Sequence, residues 1–317
     1  MPFPPLFINK LKAEKPIIQG GMAIRVTRAS LASAVANCGG VGVIAASGLA
    51  KQELRDQIRE ARSKITNPGG LLAINIMFAA TEFEMIVNTA IEEKIDFIIF
   101  GAGFSKDIFA IGQKAGVPIV PIVSSPKLAK ISAKLGASAI IVESGEAGGH
   151  LGTCQSIREL LPEIKQALSE NESSKNIPII AAGGVTSGAD IMEMLSLGAS
   201  GVQMATRFLL SKECDVHDNF KQILLNAKEE DIVLIESPVG LPGRAVLSPL
   251  TRKILAGNPP APKECKHCLK HCSRSFCIIK ALELARTGDI ENGLFFTGAN
   301  LKKYNNIISV KEIFDTL

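Results

Sequence analysis

Residues 178–208 read PIIAAGGVTSGADIMEMLSLGASGVQMATRF. Two apolar runs, Pro178–Ala182 and Gly201–Ala205, each pass through small residues into a helical pattern. The same alternation runs back along the chain through Pro16–Gln19, Val41–Ala45, Leu71–Asn75, Asp96–Phe100, Pro118–Val123 and Ala139–Val142. Amphipathic stretches such as Gln52–Ile65, Thr81–Lys94 and Lys127–Leu135 lie between them. The runs are nearly continuous in Val, Ile and Leu, as expected for strands that helices cover. Regular alternation of this kind predicts a parallel sheet with right-handed crossovers. Eight units predict a TIM (β/α)8 barrel. A doubly wound open sheet is the competitor. It would place G-x-G-x-x-G after the first strand, where Gln19-Gly20-Gly21-Met22 stands instead. The distinctive residues also follow several different strands, which suits the rim of a barrel. The division expected is a barrel over 1–230 and a C-terminal extension over 231–317. Within the extension, Ile232–Ser237 reads as a strand and Ile278–Thr287 as a short helix.

Composition narrows the function classes. Hydrophobic residues make up 46% of the 317, and no apolar run approaches the roughly 18 residues of a membrane span. The first residues, Met-Pro-Phe-Pro-Pro-Leu-Phe, lack the pattern of a signal peptide, so a cytoplasmic protein is expected. A net charge of +4, no Trp and one Tyr give little with which to bind nucleic acid. The expected partners are a small-molecule or acyl-thioester substrate and a second copy in a homodimer.

The chemistry gathers on the loops. Glu143-Ser144-Gly145-Glu146-Ala147-Gly148-Gly149-His150 puts an imidazole on a glycine-rich loop after the sixth strand. Glycines let backbone approach a ligand closely, and histidine titrates nearest neutrality. A solvent-facing or helix-capping histidine is the plain alternative. The loops after strands seven and eight carry Gly183-Gly184 and Gln203-Met204-Ala205-Thr206. In barrels these two loops commonly bind phosphate. Gly20, Gly21 and Met22 after strand one, and Asn75 after strand three, face the same rim. Each of these features alone would pass for ordinary turn chemistry. Their ordinal positions point to a phosphate-bearing cofactor.

Taken in order, Gln19-Gly20-Gly21-Met22, Asn75-Ile76-Met77, Glu146-Ala147-Gly148-Gly149-His150, Ala182-Gly183-Gly184 and Gln203-Met204-Ala205-Thr206-Arg207-Phe208 resemble the nitronate monooxygenase (formerly 2-nitropropane dioxygenase) family. That family includes the FMN-dependent enoyl-acyl-carrier-protein reductase. The resemblance covers roughly residues 5 to 215 and implies a barrel holding FMN. It implies that Gly20, Gly21, Met22 and Asn75 meet the ring and ribityl chain, with Glu143, Gly148 and Gly149 beside them. Gly183, Gly184, Gln203, Met204 and Thr206 would hold the phosphate end, and His150 would be the catalytic acid/base. Ala205 departs from the family's usual glycine.

Two reactions follow from the resemblance. One oxidises alkyl nitronates with dioxygen to carbonyl compounds and nitrite. The other passes a hydride from NAD(P)H through FMN to an enoyl thioester. Gly20-Gly21 is closer to the reductase branch, since many monooxygenases carry Ala-Pro there, whereas the C-terminal half departs from a typical reductase. Nitronate oxidation is the leading expectation.

Four of the seven cysteines, Cys265, Cys268, Cys272 and Cys277, crowd the extension. A disulfide framework is a poor explanation in a reducing compartment. Their density suggests thiolate ligation of an iron–sulfur cluster or of zinc, with Lys263, Lys266, Lys270 and Arg274 offsetting its charge and free thiols as the alternative. An iron–sulfur flavoprotein fed by a protein electron donor is the third reading.

Overall fold

The structure, a computed structural model, describes residues 3–265 and 267–317; Met1, Pro2 and Lys266 lie outside it. Thirteen strands are described: β1 (Leu6–Ile8), β2 (Leu11–Ala13), β3 (Ile17–Gln19), β4 (Val41–Ala45), β5 (Leu71–Met77), β6 (Phe97–Gly101), β7 (Ile119–Val123), β8 (Ile140–Glu143), β9 (Gly149–His150), β10 (Ile179–Ala182), β11 (Gly201–Met204), β12 (Ile232–Glu236) and β13 (Pro242–Val246). Strands β3 to β8, β10 and β11 form a closed barrel in which β11 pairs back onto β3. Every neighbouring pair in it is parallel. The expected TIM barrel is therefore present, with all eight strands where the apolar runs fall.

Period-two alternation divides the strand residues between two cores. Ile18, Val43, Ala73, Ile99, Val120 and Ile141 fill the barrel interior. Ile44, Ile74, Ile98, Phe100 and Val142 face outward beneath the helices. The β1–β2 hairpin supplies Leu6, Ile8 and Ala13 to the interior cluster. Gly42 shows how tightly helices approach: a Cβ there would lie 1.8 Å from the Ala32 carbonyl oxygen.

Beyond the barrel, β12 and β13 form an antiparallel hairpin whose second strand also pairs with β9. A third cluster, including Ile24, Ile235, Leu250, Phe276, Leu282 and Leu294, seats this hairpin and the Ile278–Arg286 helix against the first barrel loop. The terminal helix, Val310–Thr316, returns to pack against Ala29–Asn37. No described helix is long and apolar enough to cross a membrane.

Candidate active site

The carboxyl ends of the barrel strands open into a cavity of about 520 Å³. That is within the usual range for a cofactor or substrate pocket. Every residue singled out for the cofactor lines it: Gly20, Gly21 and Met22 after β3, Asn75 on β5, Glu143 ending β8, Gly148 and Gly149, Gly183 and Gly184 after β10, and Gln203, Met204 and Thr206 around β11. His150 opens onto the same space.

Local sterics explain the glycines. A Cβ on Gly21 would lie 2.4 Å from Asn75 Cβ, so only glycine lets Asn75 stand in the cavity wall. Gln19 steadies this loop by donating through Nε2 to the Gly20 carbonyl, while its Oε1 accepts from the Val43 amide at 3.0 Å. Gly183 and Gly184 occupy left-handed backbone, at φ 86° and 79°. Among the described residues their amides donate to no backbone carbonyl. Gln203 Oε1 is likewise buried without a hydrogen-bond partner. Buried polar groups seldom stay unpaired. Unpaired amides, an orphaned amide oxygen and open space together fit the phosphate and polar edge of FMN. Among the described residues no lysine or arginine lines the cavity, so an anion there would rest on backbone N–H groups and hydroxyls.

His150 is better fixed than a loop histidine. It belongs to β9, opposite Gly243 of β13, and the Leu151 amide donates to the Pro242 carbonyl at 2.9 Å. Its Nε2 is 2.8 Å from Ser237 Oγ, and Phe296 presents a T-shaped contact at 5.3 Å. Arg244 Nη1 donates to the Gly145 and Ala147 carbonyls, the second at 2.7 Å, and so clamps the loop before His150. Burial lowers the His150 pKa to about 4, which leaves the imidazole neutral at physiological pH. Burial raises the Glu143 carboxyl to about 7. Glu146, although on the rim, accepts from the Ile157 amide at 3.0 Å and caps the helix beginning there.

Ser237, Arg244, Phe296, Gly298 and Asn300 were not singled out from sequence. Gly298 donates its amide to Thr206 Oγ1 at 3.1 Å, and Asn300 Nδ2 donates to the Gly184 carbonyl at 3.2 Å. Both come from the segment after Phe296, where the Gly-Ala-Asn sequence is the signal that a rim turn was present. Arg207 points away from the site. Its guanidinium donates to Leu210 O and to Asn306 and stacks on Tyr304, tying barrel to extension.

The cysteine cluster departs from expectation. Cys265, Cys268 and Cys272 border one hollow beside Pro238–Gly240, and burial, followed by the nearby Cys277, raises the Cys268 pKa. Cys265 and Cys272 are exposed, whereas Cys268 and Cys277 are partly buried. Among the described residues no group of three or more His, Cys, Asp or Glu side chains could hold a metal ion, and all seven cysteines are free thiols. The iron–sulfur or zinc centre expected on these four residues is thus not shown among the described residues.

A model of the family described as nitronate monooxygenase matches residues 5–81 and 70–317. A Mycobacterium tuberculosis protein named (3aS,4S,5R,7aS)-5-hydroxy-7a-methyl-1-oxo-octahydro-1H-indene-4-carboxyl-CoA dehydrogenase is 33% identical over 245 residues, or 77% of this chain and 66% of that protein. The match thus spans just under two thirds of that relative's length. A probable nitronate monooxygenase of Staphylococcus aureus is 28% identical over 274 residues, covering 74% of this chain and 76% of that one. The solved structure of FabK from Thermotoga maritima superposes with a TM-score of 0.84 at 32% identity, covering 96% of this chain and 91% of that one.

Proposed function

The chain belongs to the nitronate monooxygenase family of flavin-dependent oxidoreductases, and from that premise we propose that it oxidises alkyl nitronates with dioxygen, giving carbonyl compounds and nitrite. The placement of His150 in the cavity wall, on a loop clamped by Arg244 and with its Nε2 2.8 Å from Ser237 Oγ, carries this reading. A neutral histidine has a lone pair with which to accept the α-proton of a nitroalkane, generating the nitronate that is then oxidised, and such proton transfers contribute about 10²–10⁴-fold to rate. Bound FMN would take up the electrons that the substrate gives up. Gly20, Gly21 and Asn75 would hold its ring and ribityl chain, and Gly183, Gly184, Gln203 and Thr206 its phosphate end. The apolar side chains of Leu241, Leu282, Leu294 and Phe296 help to line the cavity and would keep water from the reacting carbon.

That apolar wall also favours a second reading in which NAD(P)H supplies a hydride for an acyl thioester. The dehydrogenase named for a CoA thioester and FabK are relatives in keeping with it. Anaerobic mixing of the FMN-loaded protein with a nitronate, NADH or NADPH separates the two. Loss of the flavin's visible absorbance with nitronate, and nitrite release once air is admitted, is the expected result. Bleaching by a pyridine nucleotide alone, reversed by an enoyl thioester, would replace the first reading with the second.

A further inference from the structure

We infer that Ser237 is a positioning residue for His150: its hydroxyl oxygen accepts the Nε2 proton, fixing the tautomer that leaves Nδ1 free to receive a proton. The inference rests on the proposed acid/base role of His150. Ser237 begins the turn between β12 and β13, where Glu236 pairs with Pro242. The Gly240 amide donates to the Ser237 carbonyl at 2.9 Å, with Gly240 in left-handed backbone at φ 84°. The Ser237 amide in turn donates to the Leu241 carbonyl at 3.3 Å. The turn is anchored from outside as well, because the Ser273 amide donates to the Pro238 carbonyl at 3.0 Å.

Within this frame the hydroxyl has little freedom. Its oxygen accepts the Val239 amide at 3.3 Å, and its other side faces His150 Nε2 at 2.8 Å. A serine oxygen can accept two hydrogen bonds. If it accepts from Nε2–H, the imidazole keeps the Nδ1 lone pair, and the same bond becomes charge-assisted once Nδ1 gains a proton. The opposite arrangement, with the hydroxyl donating to Nε2, would put the only ring proton on Nδ1 and leave no base. Strand pairing of β13 with β9 ties the hairpin that carries Ser237 to the loop that carries His150. The extension thus contributes to the reacting group itself.

Histidine-selective ¹⁵N NMR of the FMN-loaded protein reads the tautomer directly, and the chain has only four histidines to assign. His150 is expected as a single Nε2–H tautomer; an Nδ1–H tautomer would overturn the inference. Ser237→Ala should give a mixture of tautomers. The same variant should lower kcat by on the order of ten- to a hundredfold, with KM and FMN affinity within about twofold, because misplacing a reacting group costs rate more than ground-state binding. Ser237→Thr, which keeps the oxygen, should restore most of the rate. Unchanged kcat in Ser237→Ala, while His150→Gln is crippled, refutes the role of Ser237 alone. If His150→Gln also turns over normally, the proposed function fails with it.

Discussion

The sharpest steric constraint in the site is at Gly21, where an added methyl meets Asn75 Cβ at 2.4 Å. Gly21→Ala should therefore push Asn75 out of the cavity wall and weaken FMN binding, at a stability cost of about 1–3 kcal/mol for overpacking. Flavin fluorescence titration and a melting curve would check both halves. Two partly buried titrating groups set opposing pH trends. His150, lowered to about 4, binds no proton in the native state between about 4 and 6.5, whereas the unfolded chain does, so its contribution to stability grows as pH rises through that window. Glu143, raised to about 7, holds its proton in the native state above the ordinary carboxyl value of 4.5, so its contribution falls as pH rises from there to 7. The two slopes oppose each other between about pH 4.5 and 6.5. Glu143→Gln should then raise the melting temperature at pH 8 and leave it unchanged at pH 4. The gain should be on the order of 1–2 kcal/mol once the side chain's partial exposure to the cavity is discounted. An equal gain at both pH values would mean that charge burial is not its cause.

The hairpin β12–β13 converts the glycine-rich loop into a fixed element, and Arg244 is its main side-chain link. Arg244→Met should remove the donors to the Gly145 and Ala147 carbonyls, costing about 1–3 kcal/mol for acceptors left unpaired. Amide exchange over residues 145–151 should quicken while the barrel strands stay protected; uniform exchange would mean that the clamp is not local. The eight barrel strands could be read from sequence because each is a short, mostly apolar run followed by small or polar residues. The pairing of β9 with β13 could not. Gly149-His150 is too short for any periodicity, and Pro242-Gly243-Arg244 opens with two residues that usually argue against a strand. The β1–β2 hairpin is hidden for a similar reason, its strands being only three residues long beside Pro4 and Pro5. The cavity-facing residues on or just after β3, β5, β8, β10 and β11 were found because loop and strand order alone bring them together. Ser237 and Asn300 were missed because only the return of the extension onto the rim places them there.

At the scale of the molecule, barrel and extension share one site, with the cofactor-type residues on one side and Ser237, Phe296, Gly298 and Asn300 on the other. A ligand bound between them should stabilise the whole fold. FMN at about a hundredfold above its Kd should add about 2.7 kcal/mol, seen as a concentration-dependent rise in melting temperature. Riboflavin, lacking the phosphate, should give a smaller rise if Gly183, Gly184 and Thr206 hold that group. Equal shifts would move the phosphate elsewhere. The most direct test of His150 as the proton acceptor beside a flavin is anaerobic single-turnover reduction of the FMN-loaded protein by a nitroalkane, comparing the native chain with His150→Gln. The expected result is retained FMN with flavin reduction slowed by about a hundredfold or more in the variant. Equal rates in the two proteins would contradict it.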